Sequence, residues 1–205
     1  MIGAFKLDYC YLTFMLRAGM RAIGSLALLH TAASSASIIH SATGRMECWN
    51  DGMVPPPAAS WQPSSKDLQL SSAASSMYSG AGLDCALCSD AVTFEDAAAL
   101  CCGRAEVAEA FRALRSLKPE PLSAPQVCYS TASSVVILLH QRYFGWLVVR
   151  SELHLALDGA GLIQSMEERW NGKRLLGSGF AVDPMRPVRR LNALFSFLVT
   201  TKLLA

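Results

Sequence analysis

Two groups of residues in this chain have the types and spacing for chemistry. The first is the acidic pair that closes the run Val92-Thr-Phe-Glu-Asp96. Alternation along an extended strand puts Val92, Phe94 and Asp96 on one face, with Thr93 and Glu95 on the other. A carboxylate that shares a face with apolar side chains is desolvated, which raises its proton affinity. Asp96 is therefore a candidate general base. The second group is Cys85-Ala-Leu-Cys88, which has the spacing of a zinc or redox pair. Its partners are poor: Cys101 and Cys102 are adjacent, an awkward spacing for chelating one ion, and no histidine lies nearby in sequence. These cysteines read as small apolar core residues, and neither a metal nor a cofactor is expected.

The elements that must position Asp96 can be read around it. Arg104 to Lys118 carries Val107, Ala110, Phe111, Leu114 and Leu117 at three- and four-residue steps, an amphipathic helix that Pro119 and Pro121 stop. Gln126 to Thr131 and Val135 to Gln141 read as strands. Trp146 to Leu157 alternates, with Leu147, Val149, Ser151, Leu153, Leu155 and Leu157 on one face and Arg150, Glu152 and His154 on the other. Asp158-Gly-Ala-Gly161 is a turn, and Leu162 to Trp170 is a last strand. Successive strands with short connections predict an antiparallel meander with the helix on one face. Before Val92, Lys66 to Leu70 begins a weak helix capped by Ser65, diluted by serines and broken by Gly80 and Gly82. Leu83 to Cys88 adds one helical turn at most.

Composition bounds the rest. The chain has 205 residues, 52% hydrophobic and 17% charged, which supports a packed core and excludes global disorder. A net charge of +2, with a single short basic cluster at Arg186, Arg189 and Arg190, argues against nucleic-acid binding. Seven cysteines read as mostly reduced thiols. Residues 1–46 have the composition of an organellar transit peptide, since no Asp or Glu occurs from Tyr9 to Met46 among many Ala, Ser, Thr and Arg. A chloroplast is favoured over a mitochondrion, and secretion is the competing address. Residues 47–65, with Pro55-Pro56-Pro57, form a linker. Residues 66–175 form the domain and 176–205 an extension. In the extension, Leu191 to Leu204 is an apolar helix that docks on its own domain or a second copy, giving a homodimer. Its length disfavours a membrane contact that spans.

At this point a resemblance carries further. Ala91-Val-Thr-Phe-Glu-Asp96, then Gly103-Arg-Ala-Glu-Val and a helix ending Phe111-Arg-Ala-Leu114, resemble the nuclear transport factor 2-like superfamily, with its SnoaL-like and ketosteroid isomerase-like domains. Leu157-Asp-Gly-Ala-Gly-Leu-Ile-Gln-Ser-Met-Glu-Glu-Arg-Trp170 resembles its last hairpin. Gly82-Leu-Asp-Cys-Ala-Leu-Cys-Ser-Asp90 is similar to the entry of the first strand in an uncharacterised plant and algal branch. The resemblance implies an α+β cone: a curved antiparallel sheet wrapped around helices, with an apolar pocket at one end. It implies that Leu153, Leu155, Met166, Glu168 and Trp170 point inward with Phe94, joined by Val136, Leu138 and His140 if the preceding hairpin has no gap.

In the isomerase branch the aspartate at the Asp96 position is the base, and a tyrosine and a protonated aspartate bind the developing oxyanion. Here those two positions fall near Ser72 and on Leu153; Tyr78 is out of register, and the usual proline after the aspartate is Ala97. Without oxyanion donors steroid isomerisation is disfavoured. The expectation is a non-catalytic cup that binds a small apolar ligand or a protein partner. The alternative is a small lyase, cyclase or isomerase with Asp96 as base and Glu168 or His140 as the acid or electrophilic partner.

Overall fold

The computed structural model describes residues 30, 32–38, 61–173, 175 and 183–202, with side chains to residue 194 in the last helix. The triproline linker and most of the expected transit peptide lie outside the described residues, as do the side chains of the terminal helix beyond residue 194. A helical segment, α1 (residues 32–38), precedes the main body.

Helix α2 (Ser65–Tyr78) is longer than its serines suggest. A reciprocal cap at Ser64 starts it: the Ser64 hydroxyl accepts from the Asp67 amide at 3.2 Å, while the Asp67 carboxylate accepts from the Ser64 amide at 2.8 Å. Asp67 also accepts from the Ser130 hydroxyl at 2.7 Å, which ties the helix to the sheet. Leu70, Ala74, Met77 and Tyr78 form the buried stripe. The serines between them are small enough for a close approach, and Ser71 is itself buried. Cys85–Leu87 is a short 3-10 turn capped by Asp84. Helix α3 (Arg104–Ala113) buries Val107, Ala108 and Phe111, then tightens into a 3-10 turn over Leu114–Leu117 and stops at Lys118, which is left-handed at φ 50°.

The strands are β1 (Cys88–Glu95), β2 (Leu100–Cys102), β3 (Glu120–Pro121), β4 (Gln126–Ser130), β5 (Ser134–Tyr143), β6 (Leu147–Leu157) and β7 (Ile163–Trp170). They form one sheet in the order β2-β1-β7-β6-β5-β3, with β4 also paired to β5. Every pair is antiparallel except β1 with β7, which brings the first strand back beside the last. Register shifts in β1/β7, β4/β5 and β6/β7 interrupt the ladders, and such irregularities bend a sheet. The result is an α+β cone with a curved, unclosed sheet.

Parity along the sheet decides what faces the helices. In β6/β7, Leu153 pairs with Glu168, Leu155 with Met166 and Ser151 with Trp170; in β1/β7, Phe94 pairs with Met166. These side chains share the inner face. The β5 assignment is corrected. The β5–β6 hairpin pairs Tyr143 with Leu147 across a three-residue loop, Phe144-Gly145-Trp146, with Gly145 at φ 78°. An odd loop makes cross-strand partners equal in parity, so Val135, Ile137 and Leu139 join Leu153 and Leu155 in the core. Val136, Leu138 and His140 stand on the outer face, opposite His154, Glu152 and Arg150.

Helix α4 (Arg186–Lys202) starts before Leu191 and packs against β2 and α3. The basic cluster at its start is an internal clamp. Arg189, 1% exposed, bridges Glu95 at 2.8 Å and Asp183, and Arg190 pairs with Glu106 at 2.9 Å. Among the described residues, no helix is long and apolar enough to cross a membrane.

Candidate functional site

A cavity of about 350 Å³ opens between α3, the ends of β1, β7 and the β5–β6 hairpin, and the paired segments α1 and α4. Its wall is mainly apolar: Phe94, Phe111, Leu114, Leu117, Phe144 and Leu147. It is hollow because the neighbouring positions carry the smallest side chains, Ala98, Ala99, Ala110, Ala113 and Ala193. The polar groups are Asp96, Glu168, Tyr78, Tyr143 and Trp170, with Glu106 and Glu109 also on the lining.

Asp96 stands one residue past β1, half-buried, in the turn to β2. Its carboxylate accepts from the amides of Ala98 at 2.8 Å and Ala99 at 2.6 Å, and its own amide donates to the Ala99 carbonyl at 3.0 Å. This side-chain turn makes the bend without a proline. Burial pushes the Asp96 carboxyl up, while the two amides and Arg189 oppose that rise.

Glu168, on β7 and 4% exposed, faces the same cavity. Burial, and then the Asp96 charge, push its carboxyl from 4.5 up to about 7. Ser151, Tyr78 and Trp170 stand close enough to oppose that rise. Yet among the described residues the Tyr78 hydroxyl and the Trp170 indole N–H, both buried, have no partner in hydrogen-bond geometry. Burial and the neighbouring Glu168 also raise both phenols, Tyr78 and Tyr143, so both remain neutral donors.

Of the residues expected at the site, Phe94, Asp96, Glu168 and Trp170 line the cavity. Leu153, Leu155 and Met166 share the inner face but lie in the packed core with Leu70 and Met77 and do not reach the opening. Val136, Leu138 and His140 are on the other side of the sheet. Burial and the cations of Arg150 and Arg142 lower the His140 imidazole, which is no partner for Asp96. Cys88 is in the core, where burial pushes its thiol up to about 11, whereas Cys85 is exposed.

From the sequence, Tyr78 is set aside as out of register and Tyr143 is not singled out, yet both line the cavity. Tyr78 completes the step Leu70, Ala74, Tyr78 along α2, so a helix carried through the serines places it inward, and its ring meets Phe111 at 5.3 Å. Tyr143 is in phase with Ile137 and Leu139, which only the odd loop reveals. Ile38 and Ala193, from the assigned leader and extension, also line the cavity, and nothing local signals either.

No family model matches the chain, and no curated protein matches it in sequence. Among solved structures it is similar to an NTF2-like protein of unknown function from Cytophaga hutchinsonii, at 12% identity over 54% of this chain and 93% of that one, with a TM-score of 0.40. It is also similar to a de novo designed protein with a curved β-sheet, at 15% identity over 51% and 98%, with a TM-score of 0.38. Neither bears on the chemistry of the cavity.

Proposed function

We propose that the cavity binds a small, largely apolar molecule whose one polar end lies against Asp96, Glu168 and Tyr78. The observation that carries this reading is a hollow with apolar walls and a few polar groups gathered at one place. At ~30 Å³ per water its volume equals about a dozen waters, the small end of ligand pockets. The unpartnered Tyr78 hydroxyl favours an oxygen that accepts a hydrogen bond, because an unpaired buried donor costs about 1–3 kcal/mol. Asp96 disfavours an anionic ligand, and the Tyr78 donor selects neutral carbonyl and hydroxyl compounds among the rest. A thermal-shift panel of such compounds tests this. Stabilisation that is weaker in Tyr78→Phe supports it, and no stabilisation across the panel overturns it.

A second reading is proton transfer, favoured by two carboxyls on one cavity in unlike environments. Two amides support ionised Asp96, whereas Glu168 keeps its proton to about pH 7. Asp96 would serve as base, Glu168 as acid, and Tyr78 as donor to a developing negative oxygen, in a lyase, cyclase or isomerase. Asp96→Asn separates the readings. Retained ligand binding with abolished turnover supports catalysis, and the lack of any turnover by the wild-type protein on a compound it binds counts against it.

A further inference from the structure

We infer that His30 and helix α1 (residues 32–38) are a lid over the Asp96 end of the cavity, latched by Asn192 of α4. The latch is one side chain with three attachments. Asn192 Nδ2 donates to the Ala98 carbonyl at 2.7 Å and meets the Ser34 hydroxyl at 3.0 Å, and Asn192 Oδ1 lies 2.6 Å from the His30 ring nitrogen. One turn further on, the Ser37 hydroxyl donates to the Ala97 carbonyl at 2.6 Å, with Ser37 1% exposed. The next residue, Ile38, lines the cavity.

The segment is built to release. Residues 32–37 are alanine and serine, Ser37 alone of 32–38 is fully buried, and Ile38, the one large apolar contact, remains 36% exposed. Elements with little buried apolar surface open at low free energy. Release has a consequence at the site. Ala97 and Ala98, whose carbonyls hold the lid, belong to the turn whose amides hold the Asp96 carboxylate. Removal of a leader ending at residue 46 would take the lid with it, so a processed chain would have a more open cavity than the full one. None of this depends on which molecule the cavity holds.

Cysteine labelling of the full chain tests the lid. Cys101 lines the cavity at 3% exposure, while Cys88 and Cys128 are buried at 0% and 7% and line no part of it. The probe is N-ethylmaleimide, with the rate at each cysteine followed by peptide mass spectrometry and exposed Cys102 as the positive control. Asn192→Ala should raise the Cys101 rate about ten-fold while Cys88 and Cys128 stay at their wild-type rates, as for local rather than global opening. Ser34→Ala, which removes one attachment and touches no cavity residue, should act in the same direction but less, and it decides the matter should Asn192→Ala fail to fold. An unchanged Cys101 rate in the folded variants overturns the lid. So does an equal acceleration of all three buried cysteines, which would make the segment a part of the global fold.

Discussion

Under α2 the inner face of the sheet is filled: Leu70 and Met77 of the helix meet Ile137, Leu153, Leu155 and Met166, each no more than 2% exposed. Under α3 and α4 the same face is hollow, with alanines at 98, 99, 110, 113 and 193 where the other end has Leu and Met. The two ends are also held differently. The filled end coheres by apolar burial, at about 25 cal/mol per Å² removed from water. The hollow end is closed by ions and polar side chains: Arg189 on Glu95 and Asp183, Arg190 on Glu106, and Asn192 on the Ala98 carbonyl. A clamp of this kind needs no filled interior, so the space can persist without collapse.

The sharpest break in that comparison is Arg189→Met. It leaves Glu95 and Asp183, both largely buried, without their shared cation. Removing one partner of a buried pair costs about 3–5 kcal/mol, to be read from urea denaturation. A loss under about 1 kcal/mol would mean that the hollow end does not depend on its clamp. At the filled end, Leu153→Ala should cost about 2–5 kcal/mol by leaving a void among side chains that cannot relax into it. It should leave ligand binding unchanged, because Leu153 does not reach the opening. Altered binding would show that the two ends are one space.

The polar pole of the hollow predicts a pH dependence. Folded Glu168 keeps its proton up to about 7, whereas the ordinary value is 4.5. Between those values the folded state binds more protons than the unfolded one, so stability falls as pH rises through that window, by up to about 1.4 kcal/mol per pH unit, and is flat above it. Glu168→Gln abolishes this component. Its denaturation midpoint should decline less than that of the wild type between pH 4.5 and 7. Parallel curves would place Glu168 in a wet rather than a desolvated site.

The filled end was legible in the sequence and the hollow end only in part, for a physical reason. Alternation in β6 and in Val92-Thr93-Phe94 is local, enforced by burial of one face, and it survives folding unchanged. The parity of β5 depends on the number of residues in the Phe144–Trp146 loop, which no side-chain pattern states. Asp96 could be picked out because its strand alternates, and Glu168 because the resemblance of the last hairpin carries an inward parity onto it. Tyr78 could not, because serines masked a helix whose stability comes from the Ser64–Asp67 cap and from packing. The closing pieces, His30 and Asn192, stand 162 positions apart and meet through polar contacts that leave no periodicity to read.

The smallest expected change tests the hollow most directly. Ala110 lies mid-way along α3, half-buried and on the cavity wall. Leucine there keeps the helix propensity within a few tenths of a kcal/mol. In a filled core, the added methylenes would force rotamer and backbone shifts costing about 1–3 kcal/mol. Against a hollow they meet open space, so the cost of strain is offset by new apolar contact, and Ala110→Leu should change stability by less than about 1 kcal/mol. The same side chain occupies volume that a ligand needs, so binding should fall sharply at nearly constant stability. A loss of 2 kcal/mol or more would mean that Ala110 stands in a packed interior, with no gap for a guest. Neutral stability with full binding would put the ligand elsewhere on the molecule.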